Sequence, residues 1–522
     1  MLNKRLWIAL SAALLLSPAQ AVSNPDTLYF GVYFEPASID AHAITEWAGM
    51  WLDDNIYETL VRYKTKSVGG KLEGTTTLQP WLAQKYTASN GGKTYTFELR
   101  KNVKFQDGTA LTADDVQFSL QRVLALDLGP AKQLKDCVDP AGIKVLDPLR
   151  VQVDLKNSCP SFLALLAQTN TGAIMSKTYV NKNGGVKPGQ LNDYLRTHGM
   201  GTGPFTMGDT TAGVKFELNA NPNYWGGKPK LAKIVFRVIK DLSNQYLLLR
   251  QGQLDVVYNL PSELLEQSMK EPSLTVNKQS AIGAQTLYMN NTQKPFNDPK
   301  VRQALMYAVN QQELSDAATL GIAKPSRSVL PGALPGYTGN EWPYKTNLDK
   351  AKSLLKEAGY PSGFASTIYY NSGNAEREKT AVTLQAQLAK VGIKVDVRSV
   401  AWPTFVDGYQ TGKFPMFVVS NLAAPILDQY MTQNFDSGSA GAGGNYSFYK
   451  NPAVDKMIAQ LSATTAPADR NALARRLQKT INTDLPLAPL YDVSLYYVMQ
   501  KWVKGWTLYP SGNWYFKDVS KE

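Results

Sequence analysis

A strand–helix–strand pattern in the second half of the chain restricts the fold most. Residues 367–370 (TIYY) and 393–400 (IKVDVRSV) are rich in β-branched and aromatic residues, which is typical of strands. Residues 376–391 between them carry apolar side chains at helical spacing. A helix that crosses over between two strands normally brings them parallel in one sheet. The pattern therefore predicts an α/β fold with a parallel pair of strands.

Strand and helix patterns alternate along the rest of the chain. Further strands are predicted at residues 29–32, 57–63, 94–100 and 233–238. A helix is predicted at residues 112–124, where Thr112 and Asp115 have the spacing of a capping box. More helices are predicted after Asp298, Asn347 and Asn451 and at residues 469–482. Two lobes, both of mixed α/β structure, suit a chain of 522 residues with these elements.

The N-terminus has the pattern of a secretory signal peptide. Lys4 and Arg5 precede an apolar segment, Leu6–Leu16, which is too short to cross a bilayer of about 30 Å as a helix. Ala19 and Ala21 supply the small residues that a signal peptidase reads. We therefore expect residues 1–21 to be removed on export. With no cysteine near the cut, we expect no lipid anchor.

The chain has two cysteines, and their spacing predicts a disulfide. A turn at residues 147–149 separates two short strand-like runs, and an antiparallel hairpin centred on Pro148 would pair Ile143 with Val153. Cys137 and Cys159 are centred on the same residue. The hairpin would therefore bring the two sulfurs together, which also fits an oxidising compartment.

Charge and motif content exclude several classes of function. The formal net charge is +12, but the basic residues are scattered, so we expect a solvated basic surface and no nucleic-acid partner. A G-x-S-x-G elbow and an H-E-x-x-H motif are both absent from the sequence, and it has only two histidines. We therefore expect no catalytic residues, no metal site and no cofactor, although a glycosidase carboxylate pair leaves no sequence signature. The glycine-rich stretch at residues 199–203 resembles a phosphate loop but precedes a strand-like run, which favours a tight crossing of two chain segments.

Aromatic residues are abundant, with 27 Tyr and 10 Trp. Aromatic walls bury the apolar parts of a small ligand while amide and backbone groups orient its polar parts. An exported chain with many aromatic residues and little catalytic equipment is thus predicted to bind a small ligand.

Eight segments in order resemble one protein family, the large solute-binding proteins of ABC importers known as extracellular solute-binding protein family 5. This family includes dipeptide-, oligopeptide-, nickel- and heme-binding proteins. The most specific stretch, residues 95–116 (YTFELRKNVKFQDGTALTADDV), is similar to the family pattern YTFxLRxxVKFxDGxxxTAxDV. The other segments that resemble family patterns are YETLVRY (57–63), LQPWLA (78–83), GTGPF (201–205), NPNYW (221–225), QGQLD (251–255), residues 295–308 and residues 351–359.

The resemblance implies a two-lobed periplasmic binding protein fold with a hinge and an extra subdomain in the first lobe. It places the first lobe at residues 22–58, 199–284 and 490–522, the subdomain at residues 59–198, and the second lobe at residues 285–489. It also implies a periplasmic protein that captures a peptide or peptide-like solute between the lobes. The partners would then be an inner-membrane ABC permease and its ATPase subunits.

The expected ligand-binding residues come from this resemblance and from the strand ends. Trp402 begins a W-x-x-F motif like that of the family, and we expect it in a loop just after the second parallel strand, where open α/β sheets place ligands. Ala423 resembles the position at which peptide-binding members hold the peptide's ammonium group with an aspartate, and Asp428 is the nearest carboxylate after it. Together the expected ligand-binding residues are Trp402, Asn421, Ala423, Tyr446, Tyr369 and Tyr29.

Two alternatives remain open at this point. The same importer role with an opine-like or sugar-like ligand would account for the missing aspartate at residue 423. An exported carbohydrate-active enzyme or lectin belongs to a different class, and the ordered family motifs argue against it.

Overall fold

The computed structural model describes residues 24–522 except 45–46, 70, 129–130, 333 and 335. The predicted signal peptide, residues 1–21, lies outside the described residues. The strands are β1 (Thr27–Val32), β2 (Val61–Val68), β3 (Lys71–Pro80), β4 (Ala83–Ser89), β5 (Thr94–Leu99), β6 (Val138–Asp147), β7 (Arg150–Leu155), β8 (Phe205–Thr211), β9 (Lys215–Ala220), β10 (Lys233–Val238), β11 (Val256–Tyr258), β12 (Leu274–Met289), β13 (Ala365–Asn371), β14 (Lys394–Val400), β15 (Met416–Leu422), β16 (Leu487–Gln500), β17 (Val503–Lys504) and β18 (Ser520–Lys521).

The helices between these strands cover both halves of the chain. They are α1 (Trp47–Ile56), α2 (Ala113–Leu126), α3 (Ala131–Cys137), α4 (Phe162–Leu166), α5 (Thr169–Gly172), α6 (Lys177–Lys182), α7 (Leu242–Arg250), α8 (Ser262–Lys270), α9 (Pro299–Ala308), α10 (Gln311–Thr319), α11 (Leu348–Glu357), α12 (Ala375–Ala389), α13 (Trp402–Gln410), α14 (Leu427–Phe435), α15 (Pro452–Ala463) and α16 (Pro467–Asp484). Among the described helices, none is both long and apolar enough to cross a bilayer.

One mixed sheet runs through most of the molecule. Within the described residues it has ten strands in the order β14-β13-β15-β12-β16-β11-β1-β10-β9-β8. The predicted strand–helix–strand unit is confirmed, because β13 and β14 pair in parallel along seven positions and α12 connects them. The α/β fold class is therefore confirmed.

Two long central strands connect the two halves of this sheet. β12 pairs with β15 through residues 283–289, whereas β16 pairs with β11 through residues 497–499. β12 and β16 also pair with each other, and their register shifts between residues 280 and 284. The ladder is thus interrupted where the chain passes from one half of the sheet to the other.

A second sheet contains the predicted disulfide hairpin. It has the order β4-β5-β7-β6, and α2 packs on it. The predicted register is confirmed, since Ile143 lies opposite Val153 and the strands turn at residues 148–149. Farther from the turn the register shifts, so that Val138 lies opposite Leu155. Cys159 therefore lies beyond the ladder, and the loop after β7 brings it to Cys137, with the two Cα atoms 5.7 Å apart in the disulfide.

The glycines at residues 201–203 serve a tight crossing, as expected from the sequence. A Cβ atom on Gly201 would lie 2.1 Å from the carbonyl oxygen of Ile56, and one on Gly203 would lie 2.3 Å from that of Asn55. Side chains at these two positions would collide with the backbone at the C-terminal end of α1. The segment brings the chain back beside α1 before β8 begins.

Two local predictions are wrong. The strand expected at residues 57–63 begins only at Val61, because the preceding residues are all buried and do not alternate. Glu58 there accepts hydrogen bonds from Trp81 and Trp225 at 2.6 and 2.7 Å, and from Tyr224 at 2.6 Å, which hold the segment in an irregular path. Trp402, expected in a loop, is the first residue of α13, where Pro403 is well suited to the first helical turn.

Candidate functional site

A large cavity lies beside the interrupted part of the central ladder. Its volume is about 970 Å³, at the upper end of the range for small-molecule sites. Residues from four parts of the chain line it, within the ranges 33–51, 242–288, 318–446 and 491–512. Segments on both sides of the crossing strands therefore contribute to one site.

Aromatic side chains form much of the cavity wall. One group lies near β1 and β11 and contains Tyr33, Phe34, Trp51 and Tyr258. The other group is contributed by the second half of the chain and contains Tyr288, Trp402, Tyr409, Tyr446, Tyr491 and Tyr496. Tyr409 contacts Tyr446 edge to face, with ring centroids 4.7 Å apart. These walls can bury the apolar parts of a ligand from both sides.

Four of the expected ligand-binding residues line this cavity. Trp402 leaves 51% of its surface exposed at the N-terminus of α13. Asn421 and Ala423 lie at the end of β15, where Asn421 donates a hydrogen bond to Asn434 at 2.8 Å. Tyr446 is half-buried in the wall, and burial raises the pKa of its hydroxyl. The structure thus brings Trp402, Asn421, Ala423 and Tyr446 together, and their ligand-binding role stays a prediction.

Tyr369 and Tyr29 are not among the residues that line the cavity. Tyr369 stacks on Phe414, with ring centroids 3.9 Å apart. Tyr29 lies on β1, where its backbone N–H donates to Asp255 at 2.8 Å and its hydroxyl accepts from Asn24 at 3.2 Å. Both rings pack against other parts of the protein. They are predicted as ligand contacts because they lie on strands, but the position of an aromatic residue on a strand does not determine which face of the sheet its ring covers.

Asp428 is engaged elsewhere in the structure and does not line the cavity. Arg470 donates to both of its carboxylate oxygens, at 3.0 and 2.9 Å, and the hydroxyl of Ser161 donates to it as well. The side chain is 10% exposed. Asp428 therefore joins residues near α4 to α14 and α16 and does not replace the aspartate that is missing at residue 423.

Glu376 and Arg377 place opposite charges on the cavity wall at the first turn of α12. Protein surrounds Glu376 on several sides, although its side chain is exposed to the cavity, and this partial loss of water raises its pKa. A hydrogen bond from Tyr491 at 2.9 Å and the charge of Arg377 act in the opposite direction. Desolvation lowers the pKa of Arg377, because the loss of water disfavours the charged form, which for a base is the protonated form.

The other charged groups at the cavity have partners in the protein. Lys379 on α12 forms an ion pair with Glu263 on α8, which joins the two sides of the site. Asp492 on β16 accepts a hydrogen bond from Ser326, and the charges of Lys278 and Lys324 stabilise its carboxylate against the pKa increase that burial causes.

Two hydrogen-bond donor atoms of wall residues have no partner among the described residues. The Nε2 atom of Gln285 and the Nε atom of Arg377 are buried without a hydrogen bond among the described residues. The Oε1 atom of Gln285, by contrast, accepts from Ser420 at 2.6 Å. An unsatisfied buried donor costs about 1–3 kcal/mol, so a ligand oxygen that reached either donor would recover free energy.

Metal chemistry finds no support within the described part of the chain, where no three His, Cys, Asp or Glu side chains come together. His42 is buried and bonded through Nε2 to the carbonyl oxygen of Ala173 at 3.0 Å. His198 stacks on Tyr194, with ring centroids 4.2 Å apart. The aromatic, amide and charged side chains of the cavity wall are groups that can bind and orient a solute.

Sequence reasoning missed Gln285, Glu376 and Arg377. For the last two residues a signal was available, because α12 follows β13 directly and helices that follow parallel strands begin at the ligand-binding edge of the sheet. Gln285 carries no comparable signal, since it looks like any polar residue of a strand.

Comparison with known proteins identifies relatives of the same kind. Residues 77–443 match the family described as bacterial extracellular solute-binding proteins, family 5 Middle. The probable D,D-dipeptide-binding periplasmic protein DdpA of Escherichia coli (strain K12) is 28% identical over 506 residues, which cover 96% of this chain and 95% of that protein. The glutathione-binding protein GsiB of Shigella flexneri is 32% identical over 455 residues, covering 84% of this chain and 85% of that protein.

A solved structure supports the same relationship. The ABC transporter-associated periplasmic binding protein DppA from Helicobacter pylori, in complex with the peptide STSA, superposes with a TM-score of 0.79 and is 30% identical. The match covers 95% of this chain and 98% of that chain. The fold is therefore the two-lobed periplasmic binding protein fold, and the chain belongs to family 5 of the bacterial extracellular solute-binding proteins.

Proposed function

We propose that this protein is the periplasmic substrate-binding component of an ABC importer and that it captures a peptide or peptide-like solute between its lobes. The solute-loaded protein then delivers its ligand to an inner-membrane permease driven by ATPase subunits. It performs no chemical reaction on the solute. The predicted signal peptide and the periplasmic relatives support this location.

The observation that carries the proposal is the composition of the cavity wall. A peptide combines apolar side chains, carbonyl and amide groups, and charged ends. The cavity offers aromatic walls for the apolar side chains, amide-bearing wall residues such as Asn259 and Asn421 for the carbonyl and amide groups, and the charges of Glu376 and Arg377 for the ends. A guanidinium group matches the geometry of a carboxylate, so Arg377 is the proposed partner of a ligand carboxylate.

We propose the following division of the chain into lobes. The first lobe comprises residues 22–58, 199–284 and 490–522, with the subdomain at residues 59–198, and the second lobe comprises residues 285–489. Separate hydrophobic cores support this division, since one core contains mainly residues 60–174 and another contains residues 287–491. The crossing strands β12 and β16 are the proposed hinge, because their ladder is interrupted beside the cavity.

Trp402, Asn421, Ala423 and Tyr446 are the proposed ligand contacts on the second lobe. They lie on the wall formed by the start of α13, the end of β15 and the loop before α15. On the first lobe, Trp51 and Tyr258 face the same space. A ligand that touches both walls favours the closed arrangement, because only that arrangement provides all the contacts.

Titration calorimetry on ligand-stripped protein tests the proposal. The protein is unfolded in guanidinium chloride with its disulfide intact, dialysed and refolded, and then titrated with dipeptides to pentapeptides. Parallel titrations use an opine and a disaccharide. We expect micromolar or tighter binding of at least one peptide, which corresponds to about −8 kcal/mol or better. Saturable binding of the opine or the disaccharide with no peptide binding would refute the proposed ligand class.

A further inference from the structure

We infer that Glu376 is the residue that binds the ammonium group of the solute, in place of an aspartate at residue 423. The inference rests on the proposed function and names one specificity-determining contact within the same cavity. It concerns the peptide's amino end, for which the methyl side chain of Ala423 offers no charge.

An ammonium group that leaves water needs an opposite charge, since an unpaired buried charge costs several kcal/mol. Three carboxylates line the described part of the cavity: Glu263, Glu376 and Asp492. Asp428, the carboxylate nearest to residue 423 in sequence, is held by Arg470 and faces away from this space.

Glu263 already has a cation, because it forms an ion pair with Lys379. Asp492 accepts a hydrogen bond from Ser326 and is only partly exposed, and the charges of Lys278 and Lys324 act on it. The charges of Arg377 and Lys379 act on Glu376 in the same way, so its greater exposure is what distinguishes Glu376 from Asp492.

Glu376 differs from both in geometry. Its Oε1 atom accepts from the hydroxyl of Tyr491 at 2.9 Å, and no hydrogen bond to its Oε2 atom is found among the described residues. The side chain is exposed and lines the cavity, and the charge of Arg377 acts on it without a direct ion pair between the two among the described residues. One carboxylate oxygen is therefore open to a ligand.

The surroundings of Glu376 also suit a cation. Tyr491 and Tyr496 line the cavity beside it, and burial, with the negative charge of Glu376 as a smaller cause, raises the pKa of both hydroxyls. Both hydroxyls therefore stay neutral, and they add no charge that competes for a cation. Glu376 is the anchor for the amino end, while Arg377 at the next position of α12 remains for a carboxylate.

A thermodynamic cycle between protein and ligand tests this assignment. The peptide with the highest affinity in the titrations above and its N-acetylated form are each titrated into wild-type protein and Glu376→Gln. We expect the variant to bind the free peptide at least about tenfold more weakly. The acetylated peptide should bind both proteins with the same Kd, because acetylation and the Glu376→Gln change each remove the same interaction, the one between the ammonium group and the carboxylate.

Two further variants make the test specific. Glu378→Gln, an exposed change two residues along α12 that is not part of the cavity wall, should leave both affinities unchanged. Asp492→Asn tests the rival carboxylate. If Glu376→Gln binds the free peptide like wild type, the assignment is wrong while the proposed function stands. The same holds if Asp492→Asn, and not Glu376→Gln, weakens the binding of the free peptide without affecting that of the acetylated peptide. If wild-type protein binds no peptide, the proposed function fails and the assignment fails with it.

Discussion

Replacing Trp402 with alanine tests whether this tryptophan binds the ligand or mainly stabilises the fold. The side chain is 51% exposed and contacts Phe405, with ring centroids 5.9 Å apart. An aromatic side chain buries about 150–250 Å² when it is fully covered, so roughly 100 Å² of Trp402 is buried without ligand. At about 25 cal/mol per Å², its removal costs at most about 2.5 kcal/mol of unfolding free energy.

A ligand that covers the exposed half of Trp402 would bury a similar area. We therefore expect Trp402→Ala to weaken binding by about 1–2.5 kcal/mol, which is roughly 5- to 70-fold in Kd. Trp514 is the matched control, because it is 2% exposed and stacks on Trp51 at 3.8 Å. Trp514→Ala should cost about 3–5 kcal/mol of stability.

Chemical denaturation and titration calorimetry on the same preparations measure both quantities. The reasoning predicts that Trp402→Ala loses affinity more than stability, with the opposite order for Trp514→Ala. A Trp402→Ala protein with wild-type affinity for the bound peptide and a stability loss equal to that of Trp514→Ala would refute it.

The remaining predictions concern the first half of the chain. Arg122 and Asp40 form a buried ion pair at 2.6 Å, so Arg122→Gln should lower the unfolding free energy by about 3–5 kcal/mol in urea titrations, and a loss below about 1 kcal/mol would contradict this. Burial and the charge of Arg122 lower the pKa of His42 from 6.5 to about 3. Between these pH values the unfolded chain binds more protons than the folded chain, so stability should fall as the pH is lowered from 6.5 toward 3, by up to ~5 kcal/mol. His42→Gln should flatten this decline, and an unchanged pH profile would count against the buried neutral histidine. The Cys137–Cys159 disulfide closes a loop with a sequence separation of 22, so replacing both cysteines with serine should cost about 3 kcal/mol. Thiol titration of the unfolded, unreduced protein should find no free thiol, and two free thiols would show that the bridge is absent.

Elements with strong local patterns were predictable from the sequence. The parallel pair β13–β14 and the start of α2 at Thr112 follow from hydrophobic period and capping chemistry, which act over a few residues. The predicted pairing of the hairpin is also correct near Pro148, but the register of the two strands shifts between Ile143 and Val138. Turn geometry determines pairing close to the turn, whereas tertiary packing determines it farther away.

The cavity wall was predictable only in part. Both Trp402 and Ala423 line the cavity. Trp402 is predicted from its position after the second parallel strand and from the family resemblance, whereas Ala423 is predicted from the resemblance alone. Tyr369 packs instead on Phe414, because a half-buried strand residue can face either side of its sheet. The position of Glu376 and Arg377 after a parallel strand indicates the ligand-binding edge of the sheet, but it does not indicate that their side chains face the cavity, which depends on the tertiary placement of α12.

Native mass spectrometry of the protein as isolated from the periplasm shows whether a peptide-like solute occupies the cavity. We expect a fraction of the molecules to carry one additional mass in the range of a small peptide, which is released on unfolding and yields peptide fragment ions. The same preparation of Trp402→Ala should carry less of it. An adduct that fragments as a sugar or an opine, or peptide adducts equally abundant in wild-type protein and Trp402→Ala, would contradict the claim that a peptide-like solute is held in this cavity.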